Sequence, residues 1–305
     1  NGYSFDVGPS LLTLPAVYRD LFLKTGKRIE HLLSIDPVDP AFTYLFPDGK
    51  KVVFPNLSHN GTVAAITESV GKEAGDAWHK ILSRAEKMWD ASREDFIENE
   101  LRPTSFLKRK NLIRDLAIIA PWKSLRSLVR SYTKDPYIGK IIDRYATYTG
   151  SDPRKVPAVL LTIAFVEEAF GAWHIKGGLG RLGDQIAQRC RELGVEIHLN
   201  SPVLKIRTAN GTAIGVTLTD GTRIDSDIVI ANADAQCVYN SLLPEDHRTQ
   251  TPRRSLKRAT PSLSGFTLML GLRGTSDLSH HTVLFPENYD DEFDAIFTQI
   301  GRAHV

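Results

Sequence analysis

Val203-Leu204-Lys205-Ile206-Arg207 leads through Asn210-Gly211 into Thr212 to Thr219, and that run leads through Asp220-Gly221 into Thr222-Arg223-Ile224. Ile214, Val216 and Leu218 recur at every second residue, the period of a half-buried strand. An Asx-Gly pair between alternating runs supplies the left-handed backbone that a tight hairpin needs, so the two pairs specify a three-stranded meander. The chain then enters Asp227-Ile228-Val229-Ile230-Ala231-Asn232-Ala233, an apolar run that suits a buried strand of a parallel sheet.

Toward the N-terminus, Leu182, Ile186, Ala187 and Leu193 fall at helical spacing, and Gly194 stands where a C-capping glycine belongs. Val195 to Leu199 reads as the next strand. The helix opens on Gly178-Leu179-Gly180-Arg181-Leu182-Gly183, a Gly-x-Gly-x-x-Gly pattern with Glu196 on the strand that follows. A dinucleotide fingerprint requires a buried parallel strand running into its first glycine. Trp173-His174-Ile175-Lys176 instead brings a lysine next to the turn. Pyrophosphate binding, close backbone approach to a flat ligand face, and a plain tight turn all stay open for these glycines.

Further toward the N-terminus, Tyr3 to Ser10 reads as an extended segment ending in a Gly-Pro turn, with a helix from Pro15 to Leu23. Phe42 to Phe46 and Lys51 to Phe54 flank Pro47-Asp48-Gly49 and predict a hairpin. Thr62 to Arg130 is mostly helical, with breaks near Gly71 to Asp76, at Pro103 and at Pro121. A second helical block spans Asp135 to Ala172, interrupted by Gly150-Ser151-Asp152-Pro153, and its aromatics suit helix packing. Gly265 to Gly271 and Thr282 to Phe285 read as strands that return to the small sheet.

A length of 305 residues fits two domains or one elaborated domain. Lys plus Arg at 38 against Asp plus Glu at 36 is too balanced for a chain that wraps nucleic acid. Cys190 and Cys237 are the only cysteines, too few for a thiolate cage, and no His-Glu-x-x-His segment occurs, so no metal is expected. The same cysteine usage points to a reducing, cytoplasmic compartment. Ala158 to Val166 is the longest apolar stretch, about half of the ~20 residues that cross a bilayer.

Leu101 to Lys134 carries nine basic residues and one acid, with Leu125, Leu128, Val129 and Tyr132 on one helical face. Such a stretch lies on anionic lipid, or it is a core-facing helix with a solvated basic side. No Gly-x-Ser-x-Gly elbow, Walker A loop or kinase set occurs, which removes the usual signatures of acyl and phosphoryl transfer. Asp6, Asp143 and Asp234 are candidates for proton chemistry or, equally simply, cap and turn acids. The opening Asn1-Gly2-Tyr3 lacks Met and reads as the start of a fragment. The closing Ile300-Gly301-Arg302-Ala303-His304-Val305 resembles a translated adapter.

Several ordered motifs resemble the bacterial and fungal type of phytoene desaturase, within the flavoprotein group that includes amine oxidases and protoporphyrinogen oxidase. Gly2 to Ser10 is similar to the family's segment shortly after the FAD fingerprint, and Tyr145-Ala146-Thr147-Tyr148-Thr149-Gly150-Ser151-Asp152-Pro153 to its central helix break. Gly171 to Leu182 resembles the Trp-containing Gly-Gly signature that faces the flavin. Ala231-Asn232-Ala233-Asp234 resembles the strand end beside the FAD.

The resemblance implies an α/β fold, α+β overall: an incomplete FAD-binding Rossmann-like domain of the amine-oxidase type with a β-meander, plus a mixed sheet and helical substrate domain. Residues 1–30 and 171–240 would form the partial FAD-binding domain, and 31–170 with 241–299 the substrate and membrane-associated domain. FAD would be held by Gly8, Pro9, Ser10, Gly177, Gly178, Val203, Asn232, Ala233 and Asp234. Tyr145, Tyr148, Trp173 and His174 would meet the substrate, a lipophilic polyisoprenoid. By the same resemblance Gly178 to Gly183 is a flavin-face turn, the true fingerprint lying upstream. The implied reaction passes a hydride from a saturated carotenoid carbon to the flavin, so no dedicated nucleophile is needed and no catalytic side chain is named. Peripheral attachment to an anionic membrane would deliver the substrate. The alternatives are an amine or protoporphyrinogen oxidase and a non-catalytic isoprenoid-binding relative.

Overall fold

In chain order, the computed structural model runs α1 (Pro15–Lys24), β1 (Ile35–Pro37), β2 (Phe42–Leu45), β3 (Lys51–Phe54), α2 (His59–Ser69), α3 (Lys72–Arg93), α4 (Leu112–Ile119), α5 (Leu125–Arg130) and α6 (Pro136–Asp143). It continues with α7 (Thr162–Phe170), β4 (Trp173–Ile175), α8 (Gly180–Glu192), β5 (Val203–Ala209), β6 (Thr212–Leu218), β7 (Arg223–Asp225), α9 (His247–Arg258), β8 (Thr282–Leu284) and α10 (Tyr289–Asp294). The described residues are 4–94, 98–99, 111–263 and 265–299. Residues 187–261 form one unit, and the remaining described residues form the other.

The larger unit is organised by α3. Ala74, Trp78, Ile81, Ala85, Met88 and Ser92 recur every three or four residues and are all buried, so one stripe of the helix faces the core. Glu73 in the first turn and Arg93 in the last complement the helix dipole. Burying each large side chain of this stripe contributes roughly 1.5–3 kcal/mol before entropy is subtracted. The stripe packs on the sheet β3-β2-β8, in which β2 pairs antiparallel with β3 and parallel with β8. The predicted hairpin is therefore present, with Gly49 at φ 84° completing its turn. A second, smaller core of Leu12, Phe22, Ile29, Leu33, Ile175 and Leu182 lies around the antiparallel pair β1–β4.

The smaller unit holds the meander β5-β6-β7, as the Asx-Gly pairs predict. Asn210 and Gly211 lie at φ 50° and 78°, the twin left-handed residues of a hairpin turn. Gly194 caps α8 at φ 83°.

Three predicted strands are absent. Residues 195–199, 227–233 and 265–271 run without ladder partners, and Ile228 and Ile230 are 75% and 88% exposed. An apolar run becomes a strand only when a neighbour supplies the hydrogen bonds, and no described strand lies beside these. The proposed break around Gly71 to Asp76 contracts to the two residues Val70 and Gly71, since α2 ends at Ser69 and α3 starts at Lys72. Pro103 and the basic residues Arg102, Lys108, Arg109 and Lys110 lie outside the described residues. Leu125, Leu128 and Val129 are buried in the main core, so this face is not free to enter lipid. Arg126 on the same helix is itself buried, paired with Asp143 at 2.8 Å and Asp290 at 2.5 Å.

Candidate functional site

Asp135 accepts hydrogen bonds from the backbone N–H groups of Tyr137 and Ile138, and Pro136 takes the first helical position, which starts α6. Ile138, Ile141 and Ile142 anchor the helix in the core. Its continuation as a tight turn over Arg144–Thr149 ends at Gly150, φ 60°. Arg144, Tyr145 and Tyr148 are thereby held in fixed relation to α7 and β2.

Arg144 is the centre of this site. Its guanidinium donates to Glu167 Oε2 at 3.0 Å, to the Tyr44 hydroxyl at 3.1 Å and to the Tyr148 hydroxyl at 3.1 Å. The Tyr148 hydroxyl donates to the other oxygen of Glu167. The guanidinium carbon also lies 4.5 Å from the centre of the Tyr145 ring and 4.8 Å from that of Phe42. Burial pushes the Tyr44 phenol up to about 12, against the pull of the Arg144 charge. Burial likewise raises Tyr145 and Tyr148, with the Glu167 charge adding to it. All three therefore stay protonated through the neutral range. Tyr145 is fully enclosed, whereas Tyr148 is 54% exposed and presents its ring to solvent.

Beside this centre, His281 hydrogen-bonds Ser10 Oγ through Nε2 at 3.0 Å and stacks on His280. His280 in turn meets the His174 ring at 4.6 Å. Burial, together with His280 and the Arg144 charge, lowers His281 to about 4. Trp173 donates its indole N–H to the Phe170 carbonyl at 2.7 Å, which fixes the ring at the start of β4. Among the described residues no group of His, Cys, Asp or Glu is arranged to hold a metal.

The glycine-rich turn follows β4. Gly177 and Gly178 lie at φ 90° and 97°, a conformation that excludes side chains without strain. The Asp6 carboxylate accepts from the backbone N–H of Leu179 at 2.6 Å and of Gly180 at 3.0 Å. It therefore occupies the N-terminus of α8, where a pyrophosphate would have to sit. Among the roles open to Gly178 to Gly183, this contact speaks for the turn, because Asp6 takes the N–H groups that a pyrophosphate would use. Two observations fit a flat ligand here: the backbone of Gly177, which among the described residues only the Arg181 side chain approaches, and His174 Nδ1, which is buried without a hydrogen-bond partner.

In the larger unit, then, Ser10, Trp173, His174, Gly177 and Gly178 cluster around β4, and Tyr145 and Tyr148 stack with ring centres 6.0 Å apart. Gly8 and Pro9 are exposed. In the smaller unit Val203 begins β5 opposite Leu218, and Asn232 and Ala233 are exposed. Asp234 caps the turn Ala235–Cys237 by accepting from the Gln236 N–H. Asp6 and Asp234 are thus cap acids, and Asp143 is an ion-pair acid pushed up to about 6 by burial, against Arg126. Sequence reading missed Arg144, Glu167, Tyr44 and His281. A readable signal did exist for Glu167: two adjacent carboxylates within the apolar run of α7.

Residues 1–292 match the family of flavin containing amine oxidoreductases. The chain is 31% identical to a 4,4'-diapophytoene desaturase (4,4'-diapolycopene-forming) of Methylomonas over 298 residues, covering 97% of this chain and 57% of that protein. It is 27% identical to a 4,4'-diapolycopene oxygenase of Methylomonas, covering 97% of this chain and 59% of the relative. The chain thus spans less than two thirds of these relatives' length. Among solved structures, a putrescine oxidase variant redesigned for cofactor binding superposes with a TM-score of 0.53 at 14% identity, over 83% of this chain and 53% of that one. At that identity the likeness shows the fold alone.

Proposed function

Because the chain belongs to the flavin containing amine oxidoreductase family, we propose that the whole protein is an FAD-dependent desaturase of a carotenoid such as phytoene. The observation that carries this reading is the match to a diapophytoene desaturase along 97% of the chain. The site is compatible with it, since oxidation at a flavin needs a shaped, water-poor environment rather than a protein nucleophile.

When bound, the flavin supplies the acceptor for a hydride from the saturated substrate carbon. The chain's own residues orient and enclose. Gly177 and Gly178 would let the flavin approach the backbone, and His174 Nδ1 would gain the partner it lacks. Gly8, Pro9 and Ser10 of the larger unit, and separately Val203, Asn232, Ala233 and Asp234 of the smaller one, are the other residues the family resemblance assigns to FAD. Tyr148 and Trp173 would lie along the polyisoprenoid, with Tyr145 behind Tyr148 as its packed support. Arg144 pairs with Glu167 and fixes both tyrosines by hydrogen bonds and ring contacts.

No helix among the described residues is long and apolar enough to cross a membrane. Peripheral attachment is part of the proposal, placed on α4 rather than α5. Ile113 is 86% exposed and Trp122 69%, beside the exposed Arg114 and the basic Lys123, an apolar and cationic combination that suits an anionic lipid surface. The expected home is the cytoplasmic face of such a membrane.

Supplying phytoene to the full-length protein is expected to lengthen the polyene absorption and bleach the flavin under anaerobic conditions. An unchanged polyene with amine-dependent flavin reduction would replace the desaturase reading by amine oxidation. A colourless full-length protein would favour a non-catalytic carrier. Co-sedimentation with anionic liposomes is expected to weaken in Ile113→Asp/Trp122→Asp, and sedimentation equal to the parent protein would sink the membrane part.

A further inference from the structure

A second polar cluster adjoins the Arg144 site and opens to the other side of the larger unit. Glu168, next in sequence to Glu167, accepts from the Trp78 indole N–H at 3.0 Å through Oε2 and hydrogen-bonds His59 Nδ1 through Oε1. His59 Nε2 lies 2.8 Å from His79 Nδ1. His79 is exposed and, with His59, Ser83, Glu86 and Glu168, lines a surface cleft of about 320 Å³. Carboxylate, imidazole and imidazole are therefore joined in line, each ring using both nitrogens in the chain or toward water.

Between the two clusters lies a cavity of about 20 Å³, lined by Glu167, Glu168, Tyr145, Trp78, Asn56 and Thr62 among others. A cavity of that size holds one water when polar partners face it. Thr62 Oγ1 is such a partner: the residue is 1% exposed and its hydroxyl has no hydrogen-bond partner. Leaving that buried group unpaired is unfavourable, and a bound water removes the penalty.

From this we propose a proton relay: Glu167, one water held by Thr62, Glu168, His59 and His79 carry a proton from the Tyr148–Glu167 pair to the surface cleft. The proposal rests on the desaturase reading for the origin of that proton. Forming the double bond removes two hydrogens from adjacent carbons. One would leave as a hydride, for which the flavin would be the two-electron acceptor. The other leaves as a proton, and its bonding pair becomes the new π bond. Tyr148 takes that proton as it passes its own to Glu167. Glu167 passes a proton to the water as the water hands one to Glu168, the proton shared by Glu168 and His59 moves onto Nδ1, and the Nε2 proton of His59 moves to His79 Nδ1. His79 releases its Nε2 proton to the medium. Asp76, one turn before His79 on α3, and Glu86 in the cleft are the other carboxylates near His79.

The test uses the flavin-loaded full-length protein in weak buffer with a pH-indicator dye, mixed once with phytoene. In the parent protein, dye response is expected to keep pace with flavin bleaching. In His79→Gln it is expected to lag by about tenfold, and imidazole in the medium should restore it. Glu168→Gln should lag at least as much without rescue, and Thr62→Val should lag while Thr62→Ser does not. Proton release that keeps pace in both His79→Gln and Glu168→Gln would overturn the relay. The hydrogen-bonded ring protons of His59 and His79, followed by NMR, give a readout independent of turnover. Their downfield N–H signals should be present in the parent and shift in Glu168→Gln, and their absence from the parent would overturn the proposal. If phytoene stays unchanged, the desaturase reading falls, and the ring-proton signals still decide the relay.

Discussion

The two units of this chain spend apolar residues in opposite ways. In the larger one, Trp78, Ile81, Met88, Leu125, Ile138 and Ile141 disappear almost completely into one core. In the smaller one, Val195, Ile197, Leu199, Ile228 and Ile230 are exposed, and the meander buries little beyond Ile206. Composition alone does not produce this difference, since the exposed runs are as apolar as any core strand. What differs is the presence of a layer to pack against: α3 lies on the β3-β2-β8 sheet, and nothing described lies on residues 227–233. Hydrophobic segments stabilise a fold only through a partner surface.

The largest expected effect is at the buried ion pair. Arg144→Ala leaves the Glu167 carboxylate buried without its cation, and chemical denaturation is expected to show a loss of about 3–5 kcal/mol. A loss below about 1 kcal/mol would show the larger unit to be less tightly built than described. Next comes a matched pair of truncations in the 305-residue chain. Ile141→Ala should cost about 2–5 kcal/mol, and Ile230→Ala should fall within about 0.5 kcal/mol of zero. Equal costs would break the contrast between the units.

The smallest effect is a pH dependence confined to the larger unit. His281 is lowered from 6.5 to about 4, so the folded state binds fewer protons than the unfolded chain between those values. Its contribution is present above pH 6.5 and is lost as pH falls toward 4. The melting temperature should therefore drop over that window in the parent protein and drop less in His281→Gln. Identical slopes in both would remove His281 as the cause.

What sequence reading captured and what it missed divide along the same physical line. The meander was legible because Asn210-Gly211 and Asp220-Gly221 dictate local backbone, and α8 because Gly194 ends it. Residues 195–199 and 227–233 carry equally strong strand patterns, yet pairing is a property of neighbours and is not written in the run itself. The site shows the same split. Tyr145 and Tyr148 stood out as aromatics beside a helix break. Arg144 looked like any surface arginine of that helical block, and only the approach of Tyr44 from β2 and Glu167 from α7 makes it the centre. At the glycine-rich turn the deciding contact comes from a residue remote in sequence, Asp6, whose carboxylate accepts from the N–H groups that open α8.

The larger unit is discontinuous, with residues 187–261 inserted in it. Ser10 and His281, 271 residues apart, are hydrogen-bonded in it, and Thr43 of β2 meets Ser279 across 236 residues. During synthesis at about 5–20 residues per second, β2 and β3 therefore leave the ribosome many seconds before their parallel neighbour β8 exists. The apolar edge of β2 must wait, unpaired, while the whole inserted unit is made. Among the described sheets, synthesis order thus makes this heavily buried one the last to close, with the edge of β2 open to other strands until β8 arrives.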